Sequence, residues 1–506
     1  MSKKALIIST ILVLMYNLHY GQQGINNNWL MGYSSWGGPP FGQTKIDFYN
    51  GTPTFTYDSL EMDFNHTHSN ISDNNGNLQF YTNGFYLADA TNDTMQNGSG
   101  INPSAYTSYF SDGLGIPQAN IIIPKPNTPD VYCFLHSTVD TFPGYSHSKY
   151  IYYSLIDMSL NGGLGAVTLK NQILITDSLN YGKITACKHA NGRDWWVICH
   201  KLNSNRFFKL LITPTAILGP YTQDLGNVRV AGAGESWFSP NGEFYAHYWK
   251  NGAGIGNLEI LNFDRCNGSF SNPISIGVPF ENGTQVGLAF SPNSQVLYVS
   301  NVFHVYQFDL TAANIAASQL TVATYDSFVS VFPGFPNGFA TLFGLSALAP
   351  DGKIYITTGN GTIHMHTIDN PDVIGLGCNV NQHSVQLQSV YFNTLPNHPN
   401  YFLGCDSTLG CLCAPTVGLS LTPQPPKGAV VAMPNPNNGN FTLQFNVQST
   451  AGELEIYDVM GKMVMRDYVA PWCQYKRVNI EALAKGIYLC KSKWGGVERS
   501  VKVVKE

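Results

Sequence analysis

The sequence predicts an all-β protein, a seven-bladed β-propeller followed by a small immunoglobulin-like β-sandwich. Two observations carry that prediction. A strand, a Pro/Asn/Asp/Gly turn and a second strand bearing aromatics recur six times, and helical periodicity is nearly absent, Leu310 to Ser318 being the one plausible helical turn or two.

The 506-residue chain opens with Lys3 and Lys4 ahead of an apolar run from Ala5 to Leu18. That run is too short to span a bilayer as a mature helix and has the charge-then-apolar order of a secretory signal. Cleavage is expected near Gly21 or Gln22, so residues 1–21 are assigned as a signal peptide. The mature chain is expected to carry no transmembrane span.

The repeat fills the middle. Its turns include Asn74-Asn75-Gly76, Pro124-Lys125-Pro126-Asn127, Asn191-Gly192, Ser239-Pro240-Asn241-Gly242, Ser291-Pro292-Asn293 and Pro350-Asp351-Gly352. Corresponding turn residues stand 50 to 64 apart, matching a four-stranded propeller blade of roughly 40 to 50 residues with some loop insertion. Third strands follow, as in Leu258 to Asp264 and Tyr306 to Leu310. Segments Asn28 to Tyr33 and Lys45 to Gly51 have the character of second and third strands lacking a first. A new first strand is expected near Val390 to Asn397, so the two ends should share a seventh blade and close the ring, removing two exposed sheet edges. The propeller is therefore assigned to residues 22–404.

Lys and Arg number 27 against 32 Asp and Glu, a formal net charge of -5 with only 12% charged residues. This excludes the dense basic surface that nucleic acid or anionic membrane requires. Ten cysteines suit disulfides in an exported chain. Cys187 and Cys199 flank a hairpin turn, as do Cys473 and Cys490 at longer range, and either pair is a candidate bridge. Cys405, Cys411 and Cys413 cluster without a histidine at ligand spacing, which favours disulfides or free thiols over zinc. No metal or other cofactor is expected. Residues 405–428 read as a Cys- and Pro-containing linker whose Pro415, Pro423, Pro425 and Pro426 make an extended spacer.

The tail, residues 429–506, begins with a turn at Pro434-Asn435-Pro436 and Gly439, then an alternating strand with Phe441, Leu443 and Phe445 on one face. A hairpin turn spans Asp458 to Lys462, with Gly461 supplying positive φ. Gly486-Ile487-Tyr488 and a basic final strand with Lys502 and Lys505 follow. These ordered motifs resemble the C-terminal sorting domain of proteins exported by the type IX secretion system of Bacteroidetes. The resemblance implies delivery through the periplasm to the cell surface or beyond, with the secretion machinery as a partner.

Residues 28 to 403 resemble propellers of secreted Bacteroidetes proteins, on Ile71 to Gly84, Asp157 to Gly165 and Lys188 to Gly192. That resemblance implies no established chemistry. Propeller ligands usually bind where innermost strands begin, because polar loop ends converge there. Counting back from each turn gives His66 and His68, Gln118 and Asn120, Lys183 and Thr185, Glu235 and Ser236, Gln285, and Ser346. His66, His68, Lys183 and Glu235 are the candidate catalytic residues, and Gln118, Asn120, Thr185 and Gln285 the candidate ligand-binding ones. The set is thin for acid-base catalysis, which needs a titratable pair in reach. No nucleophile elbow, phosphate loop or zinc-protease motif occurs. The expected function is a secreted ligand-binding or adhesion-type module for a glycan or protein. The alternative is a propeller hydrolase, lactonase-like enzyme or polysaccharide lyase.

Overall fold

A computed structural model describes residues 24–49, 51–140, 147–250, 256–279, 281–283, 286–414, 430–445, 451–469, 475–494 and 497–506. The signal segment, Gln285, Cys473 and most of the Pro-rich linker lie outside these residues.

Among the described residues from 28 to 392 the chain forms seven antiparallel sheets of three or four strands, in sequence order. Sheet 1 holds Asn28–Tyr33, Gly42–Asp47 and Thr54–Asp58, and sheet 2 holds Ser69–Ser72, Leu78–Thr82 and Leu87–Asp89. Four strands each make sheets 3 (Asn120–Pro124 to Ala166–Leu179), 4 (Thr185–Lys188 to Ile217–Arg229) and 5 (Ala233–Phe238 to Ser269–Val278). Sheets 6 (Val286–Phe290 to Leu320–Thr324) and 7 (Ser346–Leu348 to Val380–Phe392) are also four-stranded, and a hairpin, Val329–Phe332 with Phe335–Ala340, joins them. Every strand pairs with its sequence neighbour because the turns are short and locally encoded. In sheet 5, for example, Ser239 Oγ accepts from Phe244 N (2.9 Å) and Gly242 at φ +76 lets the chain reverse.

Between sheets the core is apolar and aromatic. Trp29 packs edge-on to Phe48 and Tyr355, tying sheet 1 to sheet 7, while Trp196, Phe207, Tyr245 and Phe270 join sheets 4 and 5. Trp195, Trp196 and Tyr245 are buried packing groups rather than an exposed platform.

Ring closure differs from the sequence expectation in one respect. Val390 to Phe392 is the end of the outermost strand of sheet 7, not a first strand. Asn28 lies at the turn end, donating to Gly76 O (2.6 Å), and Tyr33 lies at the other end against Phe392 (ring centroids 5.4 Å). Asn28–Tyr33 therefore runs opposite to a first strand. The segment from Asn393 to Leu403 descends the channel in the first-strand direction beside it, with Asn397 N bonded to His68 O (3.0 Å) and Leu395 packed with Trp29 and Met31. It takes the place of a first strand but forms no ladder, since Pro396 and Pro399 have no N–H to give.

The helix content also departs from expectation. Ala105–Tyr109 is a short α-helix capped by Ser104 and Thr107, whereas Leu310 to Ser318 contains one 3₁₀ turn, Ala316–Ser318.

The cysteine pairing is corrected as well. Strand register sets Cys187 opposite Trp196 and Cys199 opposite Phe208, so those two thiols do not meet; both are free and buried, as is Cys490. Among the described residues the disulfides are Cys266–Cys411 and Cys405–Cys413. Together with Asp406 N to Ala190 O and Ala414 N to Asn191 O, they bind residues 405–414 to the turn ends of sheets 4 and 5.

The tail is a two-sheet sandwich with Phe441, Leu443, Leu454, Ile456, Tyr488 and Val503 inside. Its basic end has a structural reason. Asn435 clamps the last strand by bonds to Lys502 O (2.7 Å) and Val504 N (2.8 Å), and the Lys505 ammonium donates to the carbonyls of Ile480, Glu481 and Leu483. Gly439, at φ +107, passes so close to Glu481 that a Cβ would meet its backbone at 2.8 Å. Gly461 and Gly486 also have positive φ. Arg477 of this sandwich donates to Asp369 O of sheet 7 (3.0 Å).

Candidate functional site

The channel has two mouths: one where first strands begin, and one where the first turns lie. The strand-start mouth is polar and buried, and several of its side chains bond one sheet to another. Glu235, 2% exposed, uses one carboxylate oxygen to accept from Leu288 N (2.9 Å) and Ser346 N (3.0 Å), fastening sheet 5 to sheets 6 and 7. Burial pushes its pKa up to about 8. Lys183, at φ +57, donates to Gly232 O (2.7 Å), and burial draws its pKa down to about 7. Gln118 clasps the Ser236 backbone, donating to its carbonyl (2.9 Å) and accepting from its N–H (2.8 Å), so sheet 3 is bonded to sheet 5. Ser236 Oγ in turn meets His247 Nδ1 at 2.6 Å.

Asn120 accepts from Ser69 Oγ at its side chain (2.5 Å) and from Asn397 Nδ2 at its carbonyl (2.8 Å). His66 Nδ1 lies 2.7 Å from the Asn65 side-chain oxygen. His68 is buried beside Phe64, neither ring nitrogen has a partner, and desolvation holds its pKa well below the ordinary histidine value. No hydrogen bond or ion pair joins His66 or His68 to Glu235 among the described residues. Nor do any three His, Cys, Asp or Glu side chains there gather as a metal site. No acid-base pair of these groups forms: Glu235 bonds two backbone amides, His66 bonds Asn65, and His68 packs beside Phe64.

The turn mouth opens into a cavity of about 140 Å³. Its walls include Trp29, Trp237, Phe238, Phe290 and Phe402, with Thr185, Asn26, Asn400 and His398 as polar groups. Of the sequence candidates among the described residues, Thr185 alone lines it. Asn400 is spent on Pro240 O (2.7 Å) and Phe402 N (3.0 Å), and His398 on Asn70 O (2.9 Å). Asn26 Oδ1 and Trp29 Nε1 are buried without a partner. Sequence reasoning missed this cavity, although the uncharged stretch Leu395 to Phe402, interrupted by two prolines between a strand and the linker, marked a segment with no sheet to join.

Residues 432–506 match the family described as the secretion system C-terminal sorting domain. The chain is thus a β-propeller protein exported by the type IX system to the cell surface or beyond. No curated protein matches the chain. Solved structures that resemble it include a Bacteroides fragilis protein provisionally described as a 6-phosphogluconolactonase (10% identity, 73% of this chain and 97% of that chain, TM-score 0.41). The β-propeller domain of Cps50 (Swd1) from Myceliophteria thermophila is 9% identical over 67% of this chain and 91% of its own, with TM-score 0.36. PorZ, a surface component of the type IX secretion system of Porphyromonas gingivalis, is 10% identical over 95% of this chain and 74% of its own, with TM-score 0.30. At these scores none carries an argument about activity. No helix among the described residues is long and apolar enough to cross a membrane.

Proposed function

We propose that this exported propeller is a non-catalytic binding module whose ligand enters the turn mouth. Its seven sheets form the ring, and the tail from residue 429 delivers it. One observation carries the reading. Glu235, Lys183 and Gln118 at the strand-start mouth are engaged in bonds between sheets, whereas the opposite mouth keeps a concave, aromatic cavity. Catalysis at the strand-start mouth would need a base free to approach a substrate, and Glu235 is committed to two backbone amides.

The test is a paired screen on the purified mature protein. Lactones, esters and polysaccharides should show no turnover, while ligand panels should show saturable binding that Phe402→Ala weakens and Glu235→Gln leaves intact. Turnover lost in Glu235→Gln or His68→Ala overturns the proposal.

A further inference from the structure

Cavity size limits the ligand first. A closed cavity near 150 Å³ holds one benzene-sized ring, and this one, of about 140 Å³, is open at the mouth, so one larger ring can sit in it with its outer substituents in solvent. The occupant is one six-membered ring rather than a peptide segment or a chain of sugars.

Charge limits it next. None of the lining residues is Asp, Glu, Lys or Arg. The one titratable group at the wall, His398, is held near pKa 4 by burial and stays neutral at physiological pH. A charged ring would lose its hydration and gain no counter-ion.

The wall is nevertheless not wholly apolar. Asn26, Thr185 and Asn400 bring polar side chains to it, and the Thr185 hydroxyl has no competing side-chain bond. A ring bearing hydroxyls bonds such groups, where an apolar ring leaves them without partners. Aromatic faces stack on the C–H face of such a ring while its hydroxyls reach the polar atoms. We infer that the turn mouth binds the single terminal ring of a neutral hexose. The inference rests on the binding reading above and names its ligand class.

The experiment titrates the mature protein with a neutral methyl hexoside panel, a uronic acid, and benzyl alcohol or indole, reading tryptophan fluorescence and ligand-observed NMR. A neutral hexoside should bind with Kd of about 1 mM, as a ligand of a dozen heavy atoms does. Trp237→Ala should weaken it at least tenfold; if that variant folds poorly, Thr185→Val, which removes only the hydroxyl, should still weaken it severalfold. Oligosaccharides ending in the same ring should bind no worse than the methyl hexoside, whereas blocking that terminal ring should abolish binding. If only the aromatic compound or the uronic acid binds, and Trp237→Ala abolishes it, the hexose assignment falls while the binding reading stands. If nothing binds at this mouth, both fall.

Discussion

The two mouths of the channel are made by one repeat yet differ in what lines them and in how far their side chains are tied to other sheets. At the strand-start mouth Glu235, Lys183, Gln118 and Asn120 each bond to the backbone or side chain of another sheet or loop. At the turn mouth prolines and aromatics wall an open cavity. The difference teaches that a ring of titratable residues at loop ends is not by itself a site. A closed ring needs its sheets joined, and buried polar groups are the joints that the low dielectric makes strong when satisfied.

The sharpest way to break this comparison is pH. Glu235 has a folded pKa of about 8 against 4.5 in the ordinary state, so the native form holds the proton more tightly. The stability this supplies is complete below about pH 4.5 and lost as pH rises through about 8. At about 1.36 kcal/mol per pKa unit the loss is on the order of 4–5 kcal/mol. Both backbone amides bond one carboxylate oxygen, a role an amide oxygen can take over. Glu235→Gln should therefore match the parent at pH 4.5 and exceed it at pH 9 in urea melts. Equal pH profiles would return Glu235 to the pool of functional candidates. The buried histidines act in the opposite direction: His136 and His398, held near 3 and 4, cost stability as pH falls below 6.5.

A smaller loss is expected from the pair that joins sheets 4 and 5. Arg229 and Glu259 are fully buried at 2.5 Å, and the guanidinium lies 3.9 Å from the Phe207 ring centroid. Glu259→Gln leaves a buried cation without its partner and should cost about 3–5 kcal/mol in chemical denaturation. Hexose affinity measured in native buffer should not change, because neither residue lines the cavity.

Next comes the anchor of the turn mouth. Phe402 forms its wall, and the chain beyond is tied down by Cys266–Cys411, 145 residues apart in sequence. Cys411→Ser should lower stability by about 2–4 kcal/mol. It should also weaken ligand binding, unlike Glu259→Gln. Proteolysis within 405–414 should become fast in the variant.

Legibility in the sequence divides along the same line. Turns such as Ser239-Pro240-Asn241-Gly242 and the tail motifs were readable because their chemistry is local: a proline φ, a glycine φ, an Asx bond. The sheets followed from them. The cavity was not readable, since Trp29, Trp237 and Phe402 come from three distant segments and meet only through the descending Asn393 to Leu403 chain. Cys266–Cys411 was hidden for the same reason. The charged candidates were found but not their partners, because residue type tells that Glu235 sits near a mouth and not that two amides already claim it.

The smallest effects make the cleanest contrast, between Gln118→Ala and Thr185→Val. Gln118 makes two bonds to Ser236 across the channel, so its loss leaves a buried carbonyl and N–H unsatisfied and should cost about 1–3 kcal/mol. It touches nothing at the turn mouth, so affinity should hold. Thr185 is buried at the cavity wall and makes no side-chain hydrogen bond among those described, so valine should change stability by less than about 1 kcal/mol. Its hydroxyl faces the polar demand of the ligand, so affinity should fall. One urea melt and one hexoside titration on each variant decide the matter. If Gln118→Ala loses binding and Thr185→Val keeps it, the assignment of structure to one mouth and recognition to the other is reversed.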